Sequence, residues 1–179
     1  MGYHLFVFRS RNKHPKVHQW SALPGVSIVI AVKNGSDRLI RNFGAFLSQD
    51  YPTFEIIIVD DHSDQGEKDK LTEVVSNHPR VSLLHSDQSP GKKYALTQGI
   101  QMANYDLILC TDADCIPAGH EWIKSMVGQS IGQDIVLGYS PYTRAGGLLN
   151  LAVRFETVMT GIQYLSWAMK GRPYMGVGR

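Results

Sequence analysis

One short segment organises this chain: Leu107-Ile108-Leu109-Cys110-Thr111-Asp112-Ala113-Asp114. Its apolar first half predicts a buried strand, because short apolar runs that end in polar residues are typical of parallel-sheet cores. In an extended backbone the side chains of residues i and i+2 point to the same side, so Asp112 and Asp114 face one site. Two adjacent carboxylates repel each other, and a hard divalent cation relieves that repulsion. The pair therefore predicts a metal site at a strand end.

An Asp-x-Asp pair also occurs by chance, since Asp is common in turns, so this segment alone leaves both interpretations open. The rest of the chain supplies the context. Apolar, β-branched runs and helical periodicity alternate before the pair. In chain order the predicted elements are a strand at 26–32, a helix that Ser36 caps, a strand at 55–59, a helix around Leu71, a strand at 81–84 and a helix over 94–102.

This alternation predicts right-handed βαβ units and an α/β fold, a Rossmann-like, mostly parallel sheet with helices on both faces. Open sheets of this kind bind ligands beyond the carboxyl ends of their strands. Polar residues follow three predicted strands there: Lys33-Asn34, Asp60-Asp61 and the Asp112/Asp114 pair. A nucleoside diphosphate with a divalent metal matches this set. Carboxylates accept hydrogen bonds from base and ribose, and a cation bridges Asp114 to the phosphates.

The pair Lys92-Lys93 follows Pro90-Gly91 and begins a predicted helix. At that position it would add charge and backbone donors for a phosphate, or it is simply a solvated helix end, and both interpretations stay open. The chain contains neither a Gly-x-x-x-x-Gly-Lys-Ser/Thr nor a Gly-x-Gly-x-x-Gly fingerprint. P-loop and classical dinucleotide sites are therefore disfavoured.

The composition fits one folded domain of ordinary size. The chain has 179 residues, of which 43% are hydrophobic, and a net charge of +2. That charge comes from the first 20 residues, which hold four basic side chains and no acidic one. The remainder is near neutral, so no basic stripe indicates nucleic-acid binding.

Residues 1–23 form a basic leader. Leu5-Phe6-Val7-Phe8 is too short to span a bilayer, and its order, apolar before basic, is the reverse of a signal peptide. Either it is the stump of a membrane helix with a juxtamembrane basic flank, or it is a disordered leader. Cys110 and Cys115 lack further ligands for zinc, and two reduced thiols are typical of the cytosol. We expect a cytoplasmic protein, at the cytoplasmic face of a membrane if the leader is a juxtamembrane flank.

Four motifs together resemble family 2 glycosyltransferases, which have the GT-A fold. Their order and spacing match over roughly residues 24 to 140. The motifs are Val26-Ser27-Ile28-Val29-Ile30-Ala31-Val32-Lys33-Asn34, Ile57-Ile58-Val59-Asp60-Asp61-His62-Ser63, Gly91-Lys92-Lys93-Tyr94-Ala95-Leu96 and Thr111-Asp112-Ala113-Asp114. The resemblance implies inverting transfer of a sugar from a nucleotide-sugar donor, most often a UDP-sugar, with Mn²⁺ or Mg²⁺. A hydroxyl of a saccharide or lipid-linked acceptor would receive the sugar.

The resemblance also implies roles for individual residues. By position, the expected contacts are Ala31 and Lys33 along the nucleotide, Asp60 or Asp61 at the base, Lys92 near the base or diphosphate, Asp112 near the ribose, and Asp114 on the metal with Asp112 as a second candidate ligand. In the family a later Asp is the general base. After Asp114 the acidic residues are Glu121, Asp134 and Glu156, and none lies in that motif's context. We expect the base beyond Arg179, and weak or no transfer by the isolated chain.

The last third contains a predicted strand at 134–139 and a long stripe of apolar residues at helical spacing over 148–169. We expect the stripe to pack against the sheet rather than to lie on a membrane. Residues 173–179 resemble the start of the family's acceptor-side segment. The domain would then be residues 24–179, a donor-binding portion that lacks the acceptor half.

Two alternatives remain. Asp60-Asp61 also resembles the acidic pair of a response-regulator receiver domain, with Asp112 near the phosphoacceptor position and Lys170 as the partner lysine. The strand at 26–32 would then be unexplained, because a receiver begins with the strand that precedes its acidic pair. A nucleotide-binding module without catalytic activity is the other alternative.

Overall fold

The computed structural model describes residues 23–87 and 89–172, so the expectations for the leader and for residues 173–179 lie outside the described residues. The described residues fall into two compact units, 23–127 and 128–172. The elements are β1 Val26–Val32, α1 Ser36–Leu47, β2 Phe54–Asp60, α2 Gln65–Ser76, β3 Val81–His85, α3 Lys92–Met102, β4 Leu107–Asp112, α4 Trp122–Ser130 and α5 Leu148–Met169.

The sheet of the first unit has the order β3-β2-β1-β4, and every neighbouring pair is parallel. The four strands predicted before residue 115, and their parallel direction, are confirmed. β1 lies between β2 and β4, with Val32 in register with Asp60 and Ala31 with Asp112. The three polar strand ends therefore meet at one edge. The receiver-domain alternative is wrong, because the strand that it left unexplained lies inside the sheet.

Helices cover both faces of the sheet, as expected. Alternate residues of β1 and β2 face one layer, where Ile28 and Ile58 pack with Phe46 of α1, Leu71 of α2 and Ile123 of α4. The other residues face α3, where Val29 and Val59 pack with Ala95. Because side chains alternate across a strand, two continuous apolar strands supply both layers of the core.

Gly99 lets α3 lie close to the sheet. A Cβ atom at this position would lie 2.5 Å from Cγ1 of Val29 and 2.9 Å from Cγ2 of Val59, both inside normal contact distance. The missing side chain therefore sets the depth at which α3 packs, and with it the position of the Lys92 end of this helix.

Ser36 is not the cap of α1. Gly35 occupies the N-cap position and Ser36 is the first helical residue, with its side chain buried. Its N–H and hydroxyl both donate to Oε2 of Glu67 on α2, at 2.9 and 2.7 Å. The expectation was wrong because a carboxylate from another helix satisfies the N-terminus of α1, which no local pattern around Ser36 reveals.

The second unit corrects two further expectations. Residues 134–139 form no strand. Tyr139 packs on Gly161 of α5, where a Cβ atom would lie 2.8 Å from Cε2 of Tyr139. The predicted helix is present, but its apolar stripe is not buried. The buried residues of α5 are Thr157, Gly161 and Tyr164, whereas Leu148, Leu151 and Phe155 are exposed. The covered face of α5 therefore contains Gly161 and not the apolar stripe.

Across the described ranges, no helix combines the length and the apolarity needed to cross a bilayer.

Candidate functional site

A cleft of about 420 Å³ opens where β1, β2 and β4 end. Its walls come from the loop after β1, the first turn of α1, the loop after β2, the start of α3 and the Asp-x-Asp segment. The lining residues are Ala31, Val32, Lys33, Asn34, Gly35, Asp37, Arg38, Asp61, Glu67, Lys92, Asp112, Ala113 and Asp114. Six of the seven predicted site residues are therefore brought together: Ala31, Lys33, Asp61, Lys92, Asp112 and Asp114.

Asp60 is the predicted residue that is not among those lining the cleft. Its side chain is 1% exposed, it accepts the N–H of Ser63 at 3.2 Å, and Nδ1 of His85 lies 3.1 Å from its other oxygen. Asp60 is the last residue of β2 and its side chain is buried, whereas Asp61 follows the strand and lines the cleft. Asp60 and Asp61 were both expected to contact the nucleobase of the donor. Of these two carboxylates, only Asp61 is placed to contact a ligand in this cleft.

The Asp61 carboxylate anchors the start of α3. Both of its oxygens accept the N–H of Gly91, at 2.9 and 3.1 Å. Gly91 has φ 149°, a conformation that favours glycine and brings the chain over this carboxylate. Burial opposes ionisation of Asp61, but the hydrogen bonds from Gly91 and His62 and the charge of Lys33 outweigh it, so the pKa lies below its usual value.

The loops after β1 and β2 hold each other through Asn34. Its N–H donates to Oγ of Ser63 at 2.8 Å, and its side-chain oxygen accepts the N–H of Asp64 at 2.9 Å. Asn34 has φ 47°, and Asn tolerates the left-handed conformation better than most residues. This mutual bonding fixes the backbone beside Ala31 and Lys33.

Each carboxylate of the Asp-x-Asp pair has a cationic neighbour. The Lys92 ammonium donates to Oδ1 of Asp112, and Nη1 of Arg38 lies 3.9 Å from Oδ2 of Asp114. The Asp112 side chain is 30% exposed and that of Asp114 is 59% exposed, so both are open to a ligand from the cleft. Lys92 was predicted from its motif, and Arg38 was not.

Sequence reasoning also missed Glu67. This carboxylate lines the cleft and holds Ser36, and Lys70 lies 3.4 Å from its other oxygen while also donating to Asp37. The hydrogen bonds from the Ser36 hydroxyl and N–H hold the pKa of Glu67 below its usual value. One signal was available for Arg38: the first turn of a helix that follows a parallel strand faces the ligand edge of the sheet. The same signal applies to Glu67, which lies in the first turn of α2 after β2.

The donor set fits a hard divalent cation that phosphate oxygens and water would help to coordinate. Asp112 and Asp114 are oxygen ligands at one cleft wall, and Mg²⁺ and similar ions are often held by one or two carboxylates plus substrate phosphates. The described ranges contain no cluster of three or more metal-binding side chains. Among the described lining residues, five are acidic and three are basic, so the cleft attracts a cation before it attracts a phosphate.

Comparison with known proteins identifies the family of this chain. Residues 27–162 match the model of glycosyl transferase family 2. The glycosyltransferase AglE of Haloferax volcanii is 28% identical over 131 residues, which cover 71% of this chain and 43% of AglE. The poly-β-1,6-N-acetyl-D-glucosamine synthase of Staphylococcus aureus is 32% identical over 107 residues, which cover 60% of this chain and 26% of the synthase. The chain thus spans less than half the length of these curated relatives.

Two solved structures share the fold. The mannosyltransferase PcManGT of Pyrobaculum calidifontis, in complex with GDP-Man and Mn²⁺, has a TM-score of 0.58 at 22% identity and covers 69% of this chain and 37% of its own. TarS of Staphylococcus aureus has a TM-score of 0.50 at 19% identity, with 56% of this chain and 30% of its own covered. These likenesses agree with the GT-A-like arrangement of a parallel sheet with helices on both faces. The family match extends over most of the chain, which therefore belongs to glycosyl transferase family 2.

Proposed function

We propose that the cleft binds a nucleotide-sugar donor together with Mn²⁺ or Mg²⁺, for inverting transfer of the sugar to the hydroxyl of a saccharide or lipid-linked acceptor. The observation that carries the proposal is the cleft itself. Residues from three strand ends converge there, and the Asp-x-Asp carboxylates line the same cleft as Lys33 and Lys92. Family membership supports the reaction class.

The charge of the cleft supports metal dependence. A nucleoside diphosphate is an anion, and an excess of acidic lining residues repels it. Binding of a divalent cation at Asp112 and Asp114 removes this repulsion. We therefore expect donor affinity to require the metal, with UDP as the first nucleotide to test and GDP as the second.

The residues of the chain have separate roles in this proposal. Asp61 accepts a hydrogen bond from the nucleobase of the donor and keeps the start of α3 in place. Ala31 and Lys33 lie along the nucleotide, Asp112 is next to the ribose, and Lys92 turns from Asp112 to the diphosphate. A bound metal would offset the negative charge that develops on the departing diphosphate. In-line attack by the acceptor hydroxyl needs a general base, which we expect outside this cleft.

Calorimetric titration of UDP and of GDP tests the proposal, with Mn²⁺ present and then chelated. Asp114→Ala removes a proposed metal ligand. Asp106→Ala is the matched control, because Asp106 is an exposed acidic residue that precedes β4 at the opposite end of the same strand. We expect metal-dependent binding that Asp114→Ala abolishes and Asp106→Ala preserves. Absence of binding by either nucleotide under all conditions would overturn the proposal.

A transfer assay tests whether the chain by itself transfers the sugar. The assay follows release of nucleoside diphosphate from UDP-sugars and GDP-sugars in the presence of candidate acceptors. Acceptor-dependent release by the chain would favour the enzyme. Binding of the donor without any release would favour a donor-binding part that needs further residues for transfer.

A further inference from the structure

We propose that Arg38 is a switching cation of the donor site: it pairs with Asp114 while the site is free of metal, and turns to the donor diphosphate once a divalent cation takes Asp114. Arg38 would then determine the preference of the cleft for nucleoside diphosphates over monophosphates. This inference rests on the proposed donor-binding function.

From its position, the Arg38 side chain can reach two alternative partners. Its backbone is fixed in the first turn of α1, where the N–H groups of Arg38 and Leu39 both donate to the carbonyl of Gly35 at 3.2 Å. Its side chain is 70% exposed and lines the cleft, with Nη1 3.9 Å from Oδ2 of Asp114. Because the backbone of Arg38 is fixed and its side chain is exposed, the guanidinium can move across the cleft while the helix stays in place.

The present partner holds Arg38 weakly. An ion pair of 3.9 Å between two largely exposed side chains gains little over hydration. A metal ion at Asp114 would remove the attraction altogether and place a positive charge beside the guanidinium. The planar guanidinium is suited to two oxygens of a diphosphate, with which it forms paired charge-assisted hydrogen bonds.

Competition at Asp114 predicts effects of opposite sign on two ligands. If Arg38 and the metal compete for one carboxylate, loss of the Arg38 charge strengthens binding of Mn²⁺ alone. If Arg38 also contacts the second phosphate, the same loss weakens binding of UDP but leaves that of UMP nearly unchanged. A substitution that merely disturbed the fold would weaken all three.

The test measures binding of Mn²⁺, and of UDP and UMP at saturating Mn²⁺, to the wild type and to Arg38→Gln, Arg38→Lys and Arg41→Gln. Arg41 is the matched control, because it is an exposed arginine of α1 that is not among the cleft-lining residues. Thermal unfolding verifies that all variants are folded.

For Arg38→Gln we expect Mn²⁺ affinity to rise about threefold and UDP affinity to fall about tenfold, with UMP affinity within about twofold of the wild type. Arg38→Lys keeps the charge but not the planar fork, so its UDP affinity lies between those of Gln and the wild type. Arg41→Gln behaves as the wild type. The inference is overturned if the ratio of UDP to UMP affinity does not change in Arg38→Gln, or if Mn²⁺ affinity does not rise. A wild type that binds no nucleotide overturns the donor site and with it this inference.

Discussion

Both carboxylate oxygens of Asp61 accept the single N–H of Gly91, at 2.9 and 3.1 Å, across 30 residues of chain. This contact joins the loop after β2 to the residue that caps α3, and so fixes the backbone position of Lys92, the first residue of the helix. The Asp61 side chain is 7% exposed, so the contact lies largely out of water. Asp61 therefore stabilises the cleft whether or not it also meets the base of a donor.

Asp61→Asn should destabilise the folded chain by about 2 kcal/mol, the usual cost of weakening a buried hydrogen bond to a charged group. Urea denaturation followed by circular dichroism measures the free energy of unfolding. Asp64→Asn is the control, since Asp64 is an exposed acidic residue three positions later in the same loop. An Asp61→Asn variant as stable as the wild type would show that the contact with Gly91 contributes nothing to stability.

The stability difference between the wild type and Asp61→Asn should depend on pH. The folded pKa of Asp61 lies below its ordinary value of 3.8, because hydrogen bonds and nearby positive charge outweigh burial. A depressed pKa contributes stability that is complete above pH 3.8 and is lost as the pH falls through the folded pKa. Unfolding free energies measured from pH 7 down to pH 2.5 should therefore show a constant difference down to about pH 5 and a shrinking one below 3.8. A difference that grows towards low pH would contradict this sign.

Lys92→Gln should weaken UDP binding in the presence of Mn²⁺ about tenfold, because Lys92 lines the cleft and in the proposed function contacts the diphosphate. Lys93→Gln is a matched control: it removes the same charge from the adjacent residue of α3, which is not among the cleft-lining residues. Calorimetry at two salt concentrations measures both variants. The affinity of the wild type should fall with salt more steeply than that of Lys92→Gln, because one charge contact has been removed. Equal losses for both lysines would indicate a general effect of charge rather than a specific contact.

Gly99→Ala should lower the free energy of unfolding by about 1–3 kcal/mol, the typical cost of overpacking a core. The added Cβ would lie 2.5 Å from Cγ1 of Val29 and force α3 away from the sheet. Gly44→Ala is the opposite control, because Gly44 lies inside α1 with nothing within 4 Å of an added Cβ, and there Ala should stabilise by about 0.5–1 kcal/mol. Thermal and urea unfolding of both variants give the two signs. Destabilisation of similar size in both would argue against close packing at Gly99.

The strands and most helices of this fold could be predicted because their signals are local. Two apolar, β-branched runs and one Asp-x-Asp segment define β1, β2 and β4, and parallel pairing then brings their ends to one edge. Position alone therefore placed Lys33, Asp61 and Asp114 in the same cleft. Local signals could not show which of Asp60 and Asp61 faces a ligand, because that depends on where the strand ends and on the buried pairing of Asp60 with His85.

Other features depend on partners that lie far away in the chain. Ser36 has the residue type of a cap, but Glu67, 31 residues later, satisfies the helix terminus instead. Residues 134–139 have the apolar character of a strand, yet Tyr139 packs on Gly161 of α5. In both cases the residue type favours one local structure, a helix cap or a strand, and the residue makes a tertiary contact instead.

The contact between Glu67 and Ser36 should be measurable in ligand binding. Glu67 holds the first residue of α1 through two hydrogen bonds and so positions the loop that carries Lys33 and Asn34. We expect Glu67→Ala to weaken UDP binding about fivefold. Without Glu67 the loop is held less firmly, so binding of the nucleotide must also supply the free energy of ordering it. Ser36→Ala should weaken binding less, since the backbone N–H of Ser36 can still donate. Calorimetry in the presence of Mn²⁺ measures both.

A double-mutant cycle distinguishes this contact from two unrelated effects. If Glu67 acts through Ser36, the double variant should bind UDP no more weakly than Glu67→Ala alone, because the second substitution removes a partner that is already lost. Glu73→Ala is the control, since Glu73 is an exposed acidic residue on the same helix. The pKa of Glu67 lies below its usual value of 4.5 because of the Ser36 hydrogen bonds, so the coupling should persist as the pH falls to 4.5 and be lost only below that, as the pH passes through the lowered pKa. Additive losses in the double variant would show that the two residues affect the cleft independently.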